Sequence, residues 1–328
     1  MDFLERLDLK TFTEAARRVP YERVYSHLFP GIELWVRRDD RLDPMLSGNK
    51  AYKLLFSLLE ARERGIKTVV TCGGAWSNHI HATAAAGARF GFSTLGVIRG
   101  ERPSSLSATL QDAQRLGMKL VFVTRAQYRR RGEAEFLCEI GIDEESMLFV
   151  PEGGAGLPGV RGARLLGRVI KETSPVRFDQ VWVASGTGAT FAGLVAGLRE
   201  FPVVGVEVLK AGGSIEAGVS QWLRELKGEV EQSIERVDTQ GAVYRGFLGD
   251  SCCNLLSSFH CGGYGKFPSY LSSFLDDFDA QVGIPLDPVY TGKLFYALSK
   301  SASSGNIAAG SKVLVVHSGG GQGRRGYF

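Results

Sequence analysis

The chain has 328 residues, 44% hydrophobic and 23% charged, with 39 Lys+Arg against 35 Asp+Glu and a formal net charge of +4. That length can bury a large core and favours two domains over one, and the composition is that of an ordinary globular protein. So small a net charge argues against a nucleic-acid face, and the basic run Arg129-Arg130-Arg131 reads as a solvated surface patch. Five cysteines (72, 138, 252, 253 and 261), odd in number and without a C-x-x-C pair, argue against a disulfide framework or a zinc site. A reducing compartment follows, and no metal site is expected. Acidic residues at Asp2, Glu5 and Asp8 speak against a signal peptide, and no run of eighteen apolar residues suggests a membrane span, so a cytoplasmic protein is expected.

In chain order, Leu4 to Val19 is a short amphipathic piece and Ile32 to Val36 alternates as a strand does. Next comes Leu46-Ser47-Gly48-Asn49-Lys50. Ser47 or Asn49 can cap a helix there, Gly48 lets the chain turn, and Tyr52, Leu55, Phe56 and Leu59 recur at helical spacing until Gly65. Lys50 thus falls in a first helical turn, where free N–H groups and the macrodipole repel a cation and lower its pKa toward the nucleophilic neutral amine. Taken alone, a solvated lysine is the commoner reading.

A regular series follows: strand 68–72, a Gly73-Gly74 turn, helix 82–90, strand 94–98, helix 106–116, strand 120–123 and a charged helix near 133–139. Such alternation predicts right-handed βαβ units and a parallel sheet covered on both faces. Pro151 to Gly159 is the sharpest shift in composition and marks either a crossing between domains or a Gly-rich loop beside a ligand. A second series then runs through helix 160–173, strand 180–184, helix 191–199, strand 203–208 and helix 215–226. Residues 229–256 show no clean period. Helices 270–278 and 292–298 and strand 312–317 close the chain. The expected class is α/β, with two domains, each an open, mostly parallel twisted sheet with helices on both faces. A crevice between them is the natural ligand site.

Four constellations carry chemistry. Ser185-Gly186-Thr187-Gly188-Ala189-Thr190 lies between a strand and a helix, where glycines, a free helix start and two threonine hydroxyls form a phosphate cradle. It matches neither G-x-x-x-x-G-K-[ST] nor G-x-G-x-x-G, so a nucleotide loop is not expected, and a plain tight turn stays open. Gly73-Gly74-Ala75-Trp76-Ser77-Asn78-His79 suits a carboxylate or phenolate ligand, and it suits an N-cap equally. Asp287-Pro288-Val289-Tyr290-Thr291-Gly292-Lys293 and Gly262-Gly263-Tyr264-Gly265-Lys266 place two tyrosines on loops, to pack or to offer a hydroxyl. His317-Ser318-Gly319-Gly320 sets a hydroxyl at the carboxyl end of a strand. A lysine able to become neutral, a cradle for one phosphate, a hydroxyl for a ring nitrogen and a polar carboxylate loop together describe a pyridoxal 5′-phosphate (PLP) site.

These six motifs, in this order, resemble the D-cysteine desulfhydrase and 1-aminocyclopropane-1-carboxylate (ACC) deaminase family, fold-type II enzymes like the tryptophan synthase β chain. The likeness covers most of the chain and is weak between about 209 and 256. It implies that Lys50 holds the cofactor covalently, that Asn78 meets its phenolic oxygen, that Ser185 to Thr190 hold its phosphate and that Ser318 meets the pyridine nitrogen. It implies that Ser77, Asn78 and His79 take the substrate carboxylate, with Tyr264, Tyr290 and Thr291 on the substrate side and Ser77, Tyr264 and Tyr290 catalytic beside Lys50. It further implies a large cofactor domain of residues 1–46 and 157–328, a small domain of residues 47–156, a small amino acid as substrate and a homodimer. Trp76 and His81 depart from the family pattern of Gln and Arg, which concerns substrate selectivity. The desulfhydrase branch carries Thr after the active-site tyrosine and a hydroxyl before the final glycines, as Thr291 and Ser318 do here. The expected reaction is therefore elimination from D-cysteine to pyruvate, ammonia and sulfide, with ACC deamination as the alternative. A dehydrogenase lacks its G-x-G-x-x-G after the first strand of the regular series, and a non-catalytic binding module is the reading from another class.

Overall fold

The computed structural model describes residues 4–143, 146–199, 201–226, 234–237, 243–248 and 251–327. Helix α1 (Leu9–Arg17) starts on Asp8, whose carboxylate accepts from the Thr11 amide at 2.8 Å. Strands β1 (Tyr21–Val24) and β2 (Glu33–Arg37) pair antiparallel, and α2 (Asn49–Glu63) follows. The first regular series is β3 (Thr68–Gly73), α3 (Asn78–Phe90), β4 (Ser93–Arg99), α4 (Ala108–Arg115), β5 (Lys119–Val123), the short helices α5 (Arg125–Arg129) and α6 (Ala134–Glu139), and β6 (Met147–Val150). Its four strands form one parallel sheet in the order β5-β4-β3-β6.

The second series runs α7 (Leu157–Thr173), β7 (Gln180–Ser185), α8 (Ala189–Leu198), β8 (Val203–Glu207), α9 (Ser214–Glu225), β9 (Ile234–Val237), β10 (Val243–Leu248), β11 (Ser251–Leu256), α10 (Ser269–Val282), α11 (Thr291–Ser303) and β12 (Lys312–Val316). With β1 and β2 these strands make an eight-stranded sheet, β1-β2-β12-β7-β8-β11-β10-β9, whose middle, from β2 to β11, is parallel. Alternating side chains explain its two covered faces. Val181, Val183, Leu314 and Val316 enter one core with residues of α2, α7 and α8, while Trp182, Ala184, Val313 and Val315 enter another with residues of α10 and α11. The smaller sheet repeats this: Val70, Cys72 and Val97 pack with Phe136 and Leu137, and Ile98 packs with Ile80, Leu110 and Ala113 on the other side. Helix α2 lies close against α7, where a side chain on Gly162 would put its Cβ 1.8 Å from the Tyr52 carbonyl oxygen.

The expected α/β class, with two mostly parallel sheets flanked by helices, is what the structure shows. Some boundaries move. Helix α3 begins at Asn78, four residues before the expected Ala82, because Ser77 caps a first turn whose polar residues hide the helical period. The four-residue strand β6 and the short α5 escape a reading based on periodicity, and the stretch without a period holds β9, β10 and β11, with β9 and β10 added antiparallel at the sheet edge. The remainder of 229–256 lies outside the described residues. No helix among the described residues is long and apolar enough to cross a membrane.

Candidate active site

The start of α2 is pressed onto the end of β12. Gly48, with φ of 68°, is the N-cap, and a Cβ there would lie 2.1 Å from the Ser318 carbonyl oxygen, which accepts from the Asn49 amide at 3.2 Å. Lys50 is thereby carried into a narrow cavity of about 40 Å³ shared with Asn49, Lys53, Asn78, Ser185 to Gly188, Thr190, Tyr290 and Ser318. Its pKa is lowered to about 8, chiefly by burial, while Asp287 pulls the other way. The expected lowering is present, and its largest cause is desolvation, not the helix dipole named from the sequence. Lys50 Nζ donates to Asn49 Oδ1 at 3.2 Å, and Asn49 Nδ2 donates to Thr190 Oγ1 at 2.8 Å, so one amide links the lysine to the start of α8.

Lys53, one turn on, shares that face and donates to Thr187 Oγ1 at 3.3 Å. Burial and the neighbouring Lys50 push its pKa well below the usual lysine value. Sequence reasoning missed Lys53, although its i+3 spacing from Lys50 on a helix was the available signal. Between β7 and α8, Gly188 is an N-cap with φ of 90° and no side-chain cap, so the first amides of α8 keep their donors open. Ser185 Oγ is buried among the described residues without a hydrogen-bond partner. Ala189 opens α8 but does not line the cavity.

A wider cavity of about 570 Å³ adjoins the narrow one through Lys50, Asn78, Gly153, Gly186, Thr187 and Tyr290, and adds Ser77, His79 and Tyr264. Ser77 caps α3, accepting from the Ile80 amide at 3.3 Å, and also faces this cavity, so the two readings of that loop hold together. Asn78 Oδ1 accepts from Gln322 Nε2 at 3.1 Å, a partner from the far end of the chain. His79 is 1% exposed, and neither ring nitrogen has a partner among the described residues. Burial, then Lys50 and Lys53, lower its pKa well below the usual histidine value, so the ring is neutral. Trp76 and His81 do not line either cavity. The Trp76 ring packs on Gly326, and His81 faces Asp112 at 3.8 Å.

Asp287 sets Tyr290, the N-cap residue of α11. Its carboxylate accepts from the amides of Val289, Tyr290 and Thr291 at 2.9, 2.7 and 2.9 Å and from the Thr291 hydroxyl at 2.8 Å. Thr291 is fully buried by this and lines neither cavity, which corrects its expected place on the substrate wall. Burial raises the Tyr290 pKa well above the usual phenol value, so its hydroxyl keeps its proton. Tyr264 is pushed up to about 12 by burial of its hydroxyl end, although the residue as a whole is 42% exposed. Its loop is tied down by the buried Lys293, which donates to the Gly263 and Val208 carbonyls at 2.7 and 3.2 Å.

Residues 15–241 match the family described as pyridoxal-phosphate dependent enzyme. The chain belongs to that family. It is 30% identical over 298 residues to a putative ACC deaminase of Pyrococcus abyssi, covering 88% of this chain and 85% of that one. It is 26% identical over 311 residues to a D-cysteine desulfhydrase of Salmonella paratyphi A, covering 89% and 88%. Among solved structures, an ACC deaminase homologue superposes with a TM-score of 0.78 at 27% identity, covering 94% of this chain and 91% of that one. The protein is thus a PLP-dependent enzyme of the elimination and deamination group. Its narrow cavity fits that cofactor. The uncapped start of α8, Lys53 and the unpartnered Ser185 hydroxyl border one cavity and are donors suited to an anion, beside a lysine whose amine is easily neutralised.

Proposed function

We propose that the enzyme catalyses α,β-elimination on a small D-amino acid, D-cysteine above all, giving pyruvate, ammonia and hydrogen sulfide. One observation carries this reading: no carboxylate lines the narrow cavity among the described residues, and the group beside Lys50 at the end of β12 is the Ser318 hydroxyl. In our reading the α8 start, Thr187, Thr190, Ser185 and Lys53 would hold the phosphate, Asn78 the phenolic oxygen and Ser318 the ring nitrogen. Bound PLP supplies an electron sink for the pair left at Cα when its proton departs. Lys50 Nζ, neutral above about pH 8, is the group we assign to that proton. Ser77, Asn78 and the neutral His79 would hold the substrate carboxylate. Tyr290 would offer its proton toward the β-substituent, with Tyr264 beside it.

ACC deamination is the alternative, supported by the names of relatives. It needs a group that works on an unactivated ring methylene, and the notable carboxylate near Tyr290, that of Asp287, already accepts three amides and a hydroxyl. Thiolate is the easier leaving group for such a site. Steady-state assays of one PLP-loaded preparation decide: D-cysteine should give pyruvate and sulfide, ACC little or no 2-oxobutyrate. A kcat/KM for ACC equal to or above that for D-cysteine overturns the reading. We also propose the division into residues 1–46 with 157–328 and residues 47–156, and a cytoplasmic homodimer; Cys72, Cys138 and Cys261, none of them in a disulfide, support a reducing compartment.

A further inference from the structure

The end of the chain returns to the loop that opens α3. After β12 it makes 3-10 turns over Gly321–Gly326, which start on Gly320 with φ of 103°. These turns are fastened on two sides. Toward the larger sheet, Arg324 donates to the Leu286 carbonyl at 3.0 Å and the Tyr327 hydroxyl donates to the Gly265 carbonyl at 3.1 Å. Toward the smaller sheet, Arg325 pairs with Asp112 of α4, and the same carboxylate faces His81 of α3. The Trp76 ring lies against Gly326, where a Cβ would stand 3.0 Å from it. Trp76 and His81, the two departures from the family pattern, are thus both turned toward this segment, and neither lines a cavity of the site.

What the turns enclose is the side chain of Asn78. Gln322 Nε2 donates to Asn78 Oδ1 at 3.1 Å; a Cβ on Gly323 would lie 3.4 Å from that oxygen, and one on Gly320 would lie 2.9 Å from Asn78 Nδ2. A carboxamide has nearly the same shape either way round, so its hydrogen-bond partners decide which end is the oxygen. Among the described residues Gln322 is that partner. With Oδ1 engaged, Nδ2 keeps its N–H donors for the two cavities that Asn78 lines beside Lys50. The phenolic oxygen of PLP, in our reading, needs a donor there. An acceptor in place of Gln322 Nε2 would turn the amide round and set oxygen against oxygen.

Resting on the PLP reading, we propose that Gln322 is a positioning residue for the cofactor: by donating to Asn78 Oδ1 it aims Asn78 Nδ2 at the phenolic oxygen, and the Trp76 ring seats the turn that carries it. Gln322 lines neither cavity, so its effect passes through Asn78. The Arg325–Asp112 pair, facing His81, holds the same turn from the side of α4. Trp76 and His81 therefore serve the cofactor from behind the site, and the substrate does not meet them.

The test measures, by equilibrium dialysis, how tightly the full chain freed of cofactor binds PLP and 3-deoxypyridoxal phosphate, which has hydrogen in place of the phenolic hydroxyl. Gln322→Glu keeps the shape and, ionised at about pH 8, can only accept. PLP should then bind at least about tenfold more weakly, as loss of a hydrogen bond to an anion allows, while the 3-deoxy analogue changes by less than about twofold. Gln322→Met removes the partner without reversing the amide and should weaken PLP about two- to fivefold. Trp76→Leu should weaken PLP by a similar factor and add little to Gln322→Met, because both act through one bond. Gln322→Glu with wild-type affinity for PLP overturns the proposal. So do equal losses for PLP and the 3-deoxy analogue, since Gln322 would then only support the fold. A Trp76→Leu loss that adds in full to that of Gln322→Met overturns the part given to Trp76. A wild type with no visible PLP band sinks the cofactor reading and this proposal together, whereas a normal band with Gln322→Glu binding both ligands as the wild type does sinks this proposal alone.

Discussion

The β3–α3 and β7–α8 junctions both end a buried parallel strand in a glycine turn and both reach the cavity that Lys50 lines, yet their first helical turns are finished differently. At the first, Ser77 folds its hydroxyl back onto the Ile80 amide. At the second, Gly188 has no side chain to offer and the amides of α8 stay open. A capped start has spent a backbone donor and must meet a ligand through side chains, here Ser77, Asn78 and His79. An uncapped start keeps donors and the positive end of the dipole for a small, dense anion. The cations follow the same division. Lys53 stands beside the open junction and donates to Thr187, whereas the capped junction has a neutral histidine, with Arg99 further out over its turn.

The largest effect is expected where the two junctions meet. Lys50→Met should abolish turnover and the visible band that borohydride bleaches in the wild type; labelling of a different lysine would end the assignment. The same substitution should stabilise the cofactor-free protein at pH 7. The Lys50 pKa is depressed from 10.5 to about 8 on folding, so below about pH 8 the folded state holds a buried cation. That cost is relieved as pH rises from about 8 toward the unfolded value. Each pKa unit of depression corresponds to about 1.4 kcal/mol, so the gain is on the order of 3–4 kcal/mol. Denaturation midpoints of the two apoproteins at pH 7 and pH 9.5 should show the gap closing with pH.

Lys53→Met sharpens the contrast on the open side. A hydrogen bond to a charged group contributes about 1.5–3 kcal/mol, so affinity for PLP should fall on the order of tenfold to a hundredfold. Affinity for pyridoxal, which lacks the phosphate, should change little. Equal losses for the two ligands would remove Lys53 from the phosphate site. Smallest is Ser77→Ala on the capped side. Loss of an N-cap costs about 1 kcal/mol, seen as a lower denaturation midpoint, and KM for the amino acid should rise while PLP affinity holds. A fall in PLP affinity matching the rise in KM would erase the distinction between the junctions.

Much of this was legible in the chain itself. Buried parallel strands must be apolar on both faces and helices must repeat near 3.6 residues, so Thr68 to Cys72, Gln180 to Ala184 and the helix after Gly48 declared themselves through spacing. The glycine turns at 73–74 and 186–188 were readable for the same reason, since a close turn at the carboxyl end of a strand is a local demand. Short-range rules also named Lys50, Ser77, Asn78 and Ser318, all of which face the cavities.

What such rules leave undecided is where a side chain goes after its backbone is placed. Thr291 follows Tyr290 and was expected beside the substrate, but its hydroxyl goes to Asp287. Trp76 adjoins Ser77, yet its ring lies against Gly326, which the sequence separates from it by most of the chain. Lys53 carries no local sign of its place, and it is the Gly154 loop, α7 and Thr187 that bury it beside Lys50. The pKa of Lys50 has the same origin. A helix start predicts the direction, but the dominant cause is desolvation by elements distant in sequence. Sequence by itself determined the elements, their order and the positions of the turns, because backbone geometry answers to neighbours a few residues away. Only the tertiary structure decided which groups share a cavity, which are neutral and which serve as struts, because burial and side-chain direction are set by contacts that no local pattern contains.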